Sequence, residues 1–548
     1  MRMSNKHRLI IPAAKIVPEE LQRIGKLPAI IYPVNQKIVF DYLLEEYQND
    51  CSAMDVICYE QAAKVHRRLA GYHLEKLTIR DLAALGDLGH TIYYALDNVS
   101  DPIIINFADT IVADKIQNVE GDCFFYAEEE VSEKWTYFEE KNGIITQIYD
   151  KSCECTVGEK PLFVGVFKIE DTASFYSCLE TAFEQSELKM SSFYYALMLY
   201  SQKHPMKALI TEKWFDIGHV DKYNQTQLEV KAREFNYITI DKDRGILRKT
   251  SDDKEKFLGE ILWYLKLPKD VEYVRPRIFS YSTDYNAPYV SMEYYAYHTV
   301  HELFLYGDLT SSQWKDIFKR IHFMCHDFKR YTVKDSSIKA SLEDMYLQKT
   351  ISRLAKLRTN KHFKEFFNRK MTINGATYVS LDCICRKLQE AIPQMLFDVD
   401  TFSIIHGDLC FANIMVDSNC SFVKVIDPRG KFGTFDIYGD TRYELAKLFH
   451  SVDGKYDFII KDLFDISFDS ESAKIDYEVN DRVRNYDLYQ IFQDVFKDEI
   501  SGKLKKIELI EALLFLSMVP LHGESLQHQM AMLATGMEIL DRVIEIRR

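Results

Sequence analysis

From residue 7 to about residue 225 the chain alternates short apolar runs with amphipathic ones. "HRLIIPAA" is a β-type run, and "KIVFDYLLEEYQ" carries apolar residues at helical spacing. "MDVICYE" returns to a strand, and "DPIIINFAD" reads as a buried strand ending in an acid. That alternation predicts an α/β fold with a Rossmann-like mixed sheet, mostly parallel and covered by helices. In such sheets ligands collect outside the carboxyl ends of the strands.

The texture then changes. "FNYITIDKDRGILRKTS" reads as a β-hairpin turning at Asp243-Arg244-Gly245, and the helix "DKEKFLGEILWYLKLP" stops at Pro268. A strand, "APYVSMEYY", and a long helical region follow. The 548 residues exceed one ordinary core. A boundary near 225–232 is expected, giving domains 1–228 and 229–548. No repeat, low-complexity tract or Gly/Ser linker separates the halves, so they are expected to pack together.

The net charge of -14 argues against a general phosphate-backbone binder, so no nucleic-acid partner is expected. The eleven cysteines are scattered, and Cys153/Cys155 and Cys383/Cys385 lack a second pair at zinc-ligand spacing. They read as reduced thiols. No run reaches membrane-span length and no signal-peptide core is present, so a soluble cytoplasmic protein is expected. The C-terminal "IELIEALLFLSMVPLHGESLQHQMAMLATGMEIL" reads as two amphipathic helices split near Pro520–Gly523, with methionines as core filler and His522 and His528 as satisfied polar residues.

"HGDLCFANIMVDSNCSFVKVIDPRG", from His406 to Gly430, carries the densest chemistry. Asn413 lies five residues after Asp408, and Asp427 fourteen after Asn413. Transfer of a γ-phosphoryl group needs a carboxylate at the acceptor hydroxyl, oxygen ligands for Mg²⁺, and a cation on the phosphates. Asp408 is the candidate base. Asn413 and Asp427 are the candidate Mg²⁺ ligands, brought to one edge by a hairpin of "IMVD" and "VKVID". Lys249 in "GILRKTS" is the candidate phosphate cation, and Arg248 the alternative one residue away. Glu260 follows Lys249 by eleven residues, on a helix whose buried face should be Phe257, Ile261, Leu262 and Leu265. "YVSMEYY", with Met292 and Glu293, would be the connector against the adenine of ATP. His406 reads as a support of the loop rather than a proton shuttle.

This set, H-G-D-x-x-x-x-N followed by an I-D strand end, resembles the aminoglycoside phosphotransferase and choline kinase family over roughly residues 230–548. The resemblance implies an α+β, two-lobed, protein-kinase-like domain, with an N-lobe at about 229–297 and a C-lobe at about 298–548. It implies ATP, Mg²⁺ and a small-molecule hydroxyl acceptor, and it casts Asp440 in "GDTRYELAKL" as the Asp that braces the catalytic loop. Two departures stand out. "DPRG" puts Arg429 near the acceptor side, which disfavours a cationic acceptor and favours a sugar or an anion. The glycine-rich phosphate loop is absent.

"LIIPAAK…KLPAIIYPV", "LGHTIYYALDN", "IIINFADTIV", "FVGVFKI" and "KWFDIGHVDKY" occur in the order seen in sugar-nucleotide and phosphocholine nucleotidylyltransferases, which residues 8–225 resemble. The resemblance implies two metal-binding carboxylates, Asp109 and Asp216, and CTP or another nucleoside triphosphate as substrate. The loop departs from that pattern. It has no G-x-G, Ala29 stands where L-P-K has its lysine, and Lys15, Arg23 or Lys26 are the available substitutes. Three readings stay open for this half: an active nucleotidyltransferase, a domain using another ligand on the same scaffold, and a binding or assembly module.

The two halves together resemble the cytidylyltransferase–choline kinase enzymes that feed surface glycans. The resemblance implies a bifunctional enzyme that activates a small molecule such as a sugar, polyol or amino alcohol for capsule or lipopolysaccharide synthesis. The rivals are a non-catalytic scaffold with a pseudokinase half, and an antibiotic-modifying kinase whose polycationic acceptor the acidic run 461–472 could meet. That run otherwise reads as a solvated loop. A protein substrate fits least, because no A-P-E segment follows "DPRG".

Overall fold

The computed structural model describes residues 6–34, 37–72, 74–130, 134–151, 158–185, 189–211, 214–218, 236–241, 243–417, 419–481 and 484–547. The chain divides into two compact units, Met1–Val230 with Tyr306–Asp308, and Lys231–Leu305 with Leu309–Arg548. The residues around the expected boundary, 219–235, and the pair Cys153/Cys155 lie outside the described residues.

Among the described residues, the first unit is built on a nine-stranded mixed sheet. His7–Ala13 lies between Cys51–Cys58 and Ile103–Asn106 and pairs parallel with both, and Leu77–Asp81 extends the parallel block beyond Cys51–Cys58. Past Ile103–Asn106 the sheet turns antiparallel through Glu159–Ile169, which also pairs with Cys123–Glu130 and Thr136–Lys141. The sheet is thus mixed, as expected, with a parallel block around His7–Ala13, a further parallel pair of Lys207–Ile210 on Cys123–Glu130, and antiparallel strands between them. The reason is local: Thr136–Lys141 and Ile144–Asp150 are joined by Asn142-Gly143, both at positive φ, and a two-residue turn of that kind can only join antiparallel strands. Phe124, Phe138, Phe163, Phe167, Phe175 and Phe193 fill the core between this part of the sheet and its helices. Strand order reverses at His7–Ala13, so the carboxyl ends at Ala13 and Asn106 flank a switch point of the kind that opens a crevice.

The second unit opens with a four-stranded antiparallel sheet in the order Asn236–Asp241, Ile246–Ser251, Tyr289–Glu293, Ile278–Ser282. Its first turn ends on Gly245 at φ 62°. Helix Lys254–Lys266 starts at Asp253, whose side chain accepts the Lys256 N–H at 3.2 Å. It ends where Leu267 precedes Pro268 and must leave the helical region. Its buried face is Phe257, Glu260, Ile261, Trp263 and Tyr264, while Leu262 and Leu265 are half-exposed. The expected apolar stripe is thus rotated, because Trp263 and Tyr264 have polar partners inward: Trp263 Nε1 donates to the Ile405 carbonyl at 2.7 Å, and Tyr264 Oη accepts the Asp427 N–H at 3.1 Å.

The rest of the unit is mainly helical, with Ser311–Phe328, Leu381–Leu396, Thr441–Val452, Leu504–Met518 and Leu526–Val543 as its long elements. A hairpin of Ile414–Val416 and Val423–Val425 is set among them. The acidic run 461–472 is not a solvated loop. Phe464–Asp469 pairs antiparallel with Lys474–Val479, and strand alternation turns Asp465, Ser467 and Asp469 outward. Met530, Met532 and Met537 are fully buried. Among the described residues, no helix is long and apolar enough to cross a membrane, and the nine cysteines are free thiols.

Gly430 sits at φ 65°, and a Cβ there would land on the Gly259 carbonyl oxygen of helix Lys254–Lys266. Left-handed strain and the clash add, so Gly430→Ala is expected to destabilise this unit by about 2 kcal/mol or more. Urea unfolding would show it as a lower midpoint, and an unchanged midpoint would refute the close approach.

Candidate functional site

Two clusters of charged groups stand out, one in each unit. In the second unit, strand alternation sends Arg248 and Lys249 to opposite faces. Arg248 is exposed, with its guanidinium 3.7 Å from the centroid of the Tyr289 ring. Lys249 is buried, and its Nζ lies 2.8 Å from both carboxylate oxygens of Glu260 and 2.8 Å from Asp427 Oδ1. Burial works against the ammonium charge, but Asp427 and Glu260 outweigh it, and the Lys249 pKa is raised. Glu260 reaches Lys249 because the helix begins only three residues after the strand ends, which aims its buried face at the sheet.

Asp427 stands just beyond Val423–Val425 at φ 55°, a left-handed conformation that aspartate tolerates better than most residues. The Ile426 N–H donates to the Asn413 carbonyl at 3.0 Å, so Asn413 and Asp427 flank the mouth of one hairpin. Asn413 Nδ2 donates to the Asp408 carbonyl at 2.9 Å, which turns its side-chain oxygen the other way. An amide oxygen and a carboxylate are hard donors suited to Mg²⁺.

Asp408 Oδ1 lies 2.8 Å from Lys447 Nζ. Burial alone would raise the Asp408 pKa, but Lys447, with His406 and Arg429, holds it well below the usual carboxylate range. His406 is fully buried, edge-on to Trp263 at 5.5 Å between ring centroids. Its Nε2 donates to the Ile426 carbonyl at 3.0 Å, and its Nδ1 accepts the Asp408 N–H at 3.3 Å. Burial pushes its pKa down to about 4, so the ring is neutral near pH 7 and props the loop with both nitrogens.

The brace of this loop is not Asp440. Asp440 caps helix Thr441–Val452, takes the Arg442 guanidinium at 2.7 Å and accepts Tyr346 Oη at 2.9 Å. Glu444, one turn on, accepts the backbone N–H groups of His406 and Gly407, each at 2.8 Å. Burial raises the Glu444 pKa to about 7. Sequence reading missed both Glu444 and Lys447. The available signal was that Asp440, Glu444 and Lys447 recur at i, i+4 and i+7, a charged stripe on a helix expected to bury apolar residues.

Met292 is buried between Leu247 and Ile278 of the neighbouring strands. Glu293 ends that strand and accepts Tyr295 Oη at 2.8 Å. Both sit at the end of the sheet, where the chain leaves it for the helical part of the unit.

In the first unit, Asp109 follows Ile103–Asn106 at its carboxyl end, and Asp216 closes Trp214–Asp216, which pairs antiparallel with Thr110–Val112. The Ile217 N–H donates to the Asp109 carbonyl at 2.8 Å. A Cβ built on Gly218 would lie 2.7 Å from Asp109 Oδ2 and 3.1 Å from Asp216 Oδ1, so the two carboxylates converge where only glycine leaves room. This is the switch-point edge of the sheet.

The segment after His7–Ala13 is closed on itself. The Val17 N–H donates to the Leu27 carbonyl at 3.0 Å, and Val17, Leu21, Ile24 and Leu27 are buried. Ala29 is buried at the start of a 3-10 turn, and Lys15, Arg23 and Lys26 are exposed. This segment therefore buries an apolar cluster, and the three basic residues named as substitutes lie outside it.

Neither a family model nor a curated protein matches the chain. Among solved structures, the chain is similar to a CTP:phosphocholine cytidylyltransferase from Streptococcus pneumoniae, with 13% identity, a TM-score of 0.34, and coverage of 41% of this chain and 100% of that one. It is also similar to a glucose-1-phosphate thymidylyltransferase from Bacillus anthracis described as putative (14%, TM-score 0.33, 42% and 98%). A third is an inositol-1-phosphate CTP transferase from T. maritima (14%, TM-score 0.32, 42% and 99%).

The His406 geometry generates a pH test. Its folded pKa, about 4, is depressed below the ordinary 6.5, so its contribution to stability is present above pH 6.5 and lost as pH falls toward 4. The destabilisation caused by His406→Asn is therefore expected to shrink by about 2 kcal/mol between pH 7 and pH 5. Urea unfolding of both proteins at the two pH values checks this. A pH-independent difference would contradict a buried neutral ring.

Proposed function

We propose that residues 229–548 form an ATP- and Mg²⁺-dependent phosphotransferase acting on a hydroxyl of a small molecule. The observation that carries this reading is Lys249 held between Glu260 and Asp427, with Asp408 across Asn413 from that group. In this reading Lys249 contacts the phosphates of ATP and Glu260 keeps it aimed. The acceptor oxygen attacks the γ-phosphorus, the bond from that phosphorus to the bridging β–γ oxygen breaks, and ADP leaves with the electron pair. Asp408 orients the hydroxyl and takes its proton. Its low pKa keeps it ionised and makes it a weak base, which suits a loose transition state in which the proton leaves late. Mg²⁺, held by Asn413 and Asp427, would neutralise charge developing on the phosphate oxygens. Glu444 keeps the loop backbone in register.

We further propose that residues 1–228 act as a nucleotidyltransferase domain, with CTP or another nucleoside triphosphate, that couples the phosphorylated product to a nucleotide for capsule or lipopolysaccharide assembly in the cytoplasm. The convergence of Asp109 and Asp216 at a sheet switch point supports it. A binding or assembly role for this unit is the second reading, favoured by a loop that lacks G-x-G and buries Val17, Leu21, Ile24 and Leu27.

³¹P NMR of the full chain with Mg·ATP and a pool of sugars, polyols and amino alcohols tests both. A new phosphomonoester signal is expected, and Asp408→Asn should slow its appearance about 10²–10⁴-fold. A signal that persists unchanged in Asp408→Asn would remove the assigned base. With CTP added, a diphosphate diester signal should follow, and Asp216→Asn should abolish it while leaving the phosphomonoester. If wild type forms the monoester and never the diester with any nucleoside triphosphate, the binding-module reading of the first unit replaces the catalytic one.

A further inference from the structure

The side of Asp408 occupied by Lys447 is strongly cationic. Lys447 Nζ sits on Asp408, and Arg429 Nη1 donates to Tyr443 Oη at 3.1 Å. Lys349 and Arg353 lie one turn apart on helix Lys349–Leu357, near enough to Tyr443 to act on it electrostatically, and Arg353 Nη1 donates to the Ser517 carbonyl at 3.4 Å. Four cations thus gather around Tyr443 and Asp408. The nearby acids are committed elsewhere: Glu444 to backbone N–H groups, Asp440 to Arg442, Asp427 to Lys249. Among the described residues, no carboxylate forms an ion pair with Lys349, Arg353 or Arg429.

The crowding has consequences for the groups themselves. Burial pushes the Lys349 ammonium down to about 8, with Arg429, Arg353 and Lys447 adding to the effect and Tyr443 opposing it. The Tyr443 phenol is buried, which should raise its pKa, yet Lys349, Arg429 and Lys447 bring it below the ordinary value. Lys349, Arg353 and Arg429, half-buried and with no carboxylate at ion-pair distance among the described residues, store repulsion that an anion would relieve.

We infer that this cluster binds an anionic group of the acceptor, so that the substrate is a small alcohol carrying a carboxylate or a phosphate, held by Lys349, Arg353 and Arg429 with its hydroxyl at Asp408. The inference rests on the phosphotransferase reading above. A planar guanidinium pair suits either oxyanion. A quaternary ammonium acceptor would meet repulsion here, since its recognition needs aromatic faces or acids.

The full chain with Mg·ATP would be offered glycerol, glycerate, glycerol 3-phosphate and choline at equal concentration, with ADP release measured and the product checked by ³¹P NMR. One of the two anionic alcohols should exceed glycerol in kcat/KM by about tenfold or more, choline should be inert, and the better of the two identifies carboxylate or phosphate as the recognised group. Arg353→Gln should raise the KM for that acceptor about tenfold and leave the KM for Mg·ATP unchanged. Preference for glycerol or choline, or an acceptor KM that ignores Arg353→Gln, would overturn the inference while leaving the phosphotransferase intact. If none of the four is turned over, calorimetry with inorganic phosphate decides. Binding that Lys349→Gln and Arg353→Gln each weaken supports the anion site apart from the reaction, and no binding to wild type overturns it.

Discussion

The cluster in the second unit depends on one buried charge. Lys249 stands almost out of solvent in the middle of a strand, where an uncompensated ammonium would cost several kcal/mol. Its compensation comes from two carboxylates that the chain supplies from different places, Glu260 from the next helix and Asp427 from a strand end 178 residues on. Satisfying that charge fixes the helix against the sheet and the strand end against both. Trp263 and Tyr264 extend the same attachment, one to the Ile405 carbonyl and one to the Asp427 N–H. The loop from His406 to Asp427 is therefore positioned from the side that carries Lys249.

From the other side it is positioned by helix Thr441–Val452. Glu444 holds the loop backbone and Lys447 holds Asp408, so one helix face sets both the path of the loop and the charge state of its carboxylate. The unit thus separates two electrostatic tasks. Lys249 is a cation neutralised by its own carboxylates, which leaves it a local rather than a diffuse field. Of the cations around Tyr443, Lys447 is paired with Asp408, whereas Lys349, Arg353 and Arg429 have no carboxylate at ion-pair distance among the described residues.

How much of this was legible in the sequence follows from the range of each interaction. The hairpin turning at Gly245, the helix from Lys254 to Lys266 and the hairpin between Asn413 and Asp427 were readable, because turn residues, a cap and period-2 apolar runs are local signals. Which of Arg248 and Lys249 points inward was not, since a one-residue register decides it and the register is set by pairing with Val290 and Ser291. The buried face of helix Lys254–Lys266 was misread for a related reason. Trp263 and Tyr264 are held by partners 142 and 163 residues away, and the half-exposed Leu262 and Leu265 give no hint of it. Glu444 and Lys447 escaped notice because a charged residue on a helix normally faces solvent. In the first unit Asp109 was legible as the acid at the end of a strand, whereas Asp216 came only from the motif order that the resemblance rests on. The apolar filling of Val17, Leu21, Ile24 and Leu27 was not legible, because their burial is a property of the folded segment.

The most direct test of the account is calorimetric titration of Mg·ATP into the full chain, compared among wild type, Lys249→Met and Arg248→Met. The account predicts that Lys249→Met weakens binding by tenfold or more, about 1.4 kcal/mol, and that Arg248→Met, which removes only a surface contact with Tyr289, binds as wild type does. Loss of binding in Arg248→Met with retention in Lys249→Met would contradict it, and would place the phosphate cation on the opposite face of the strand.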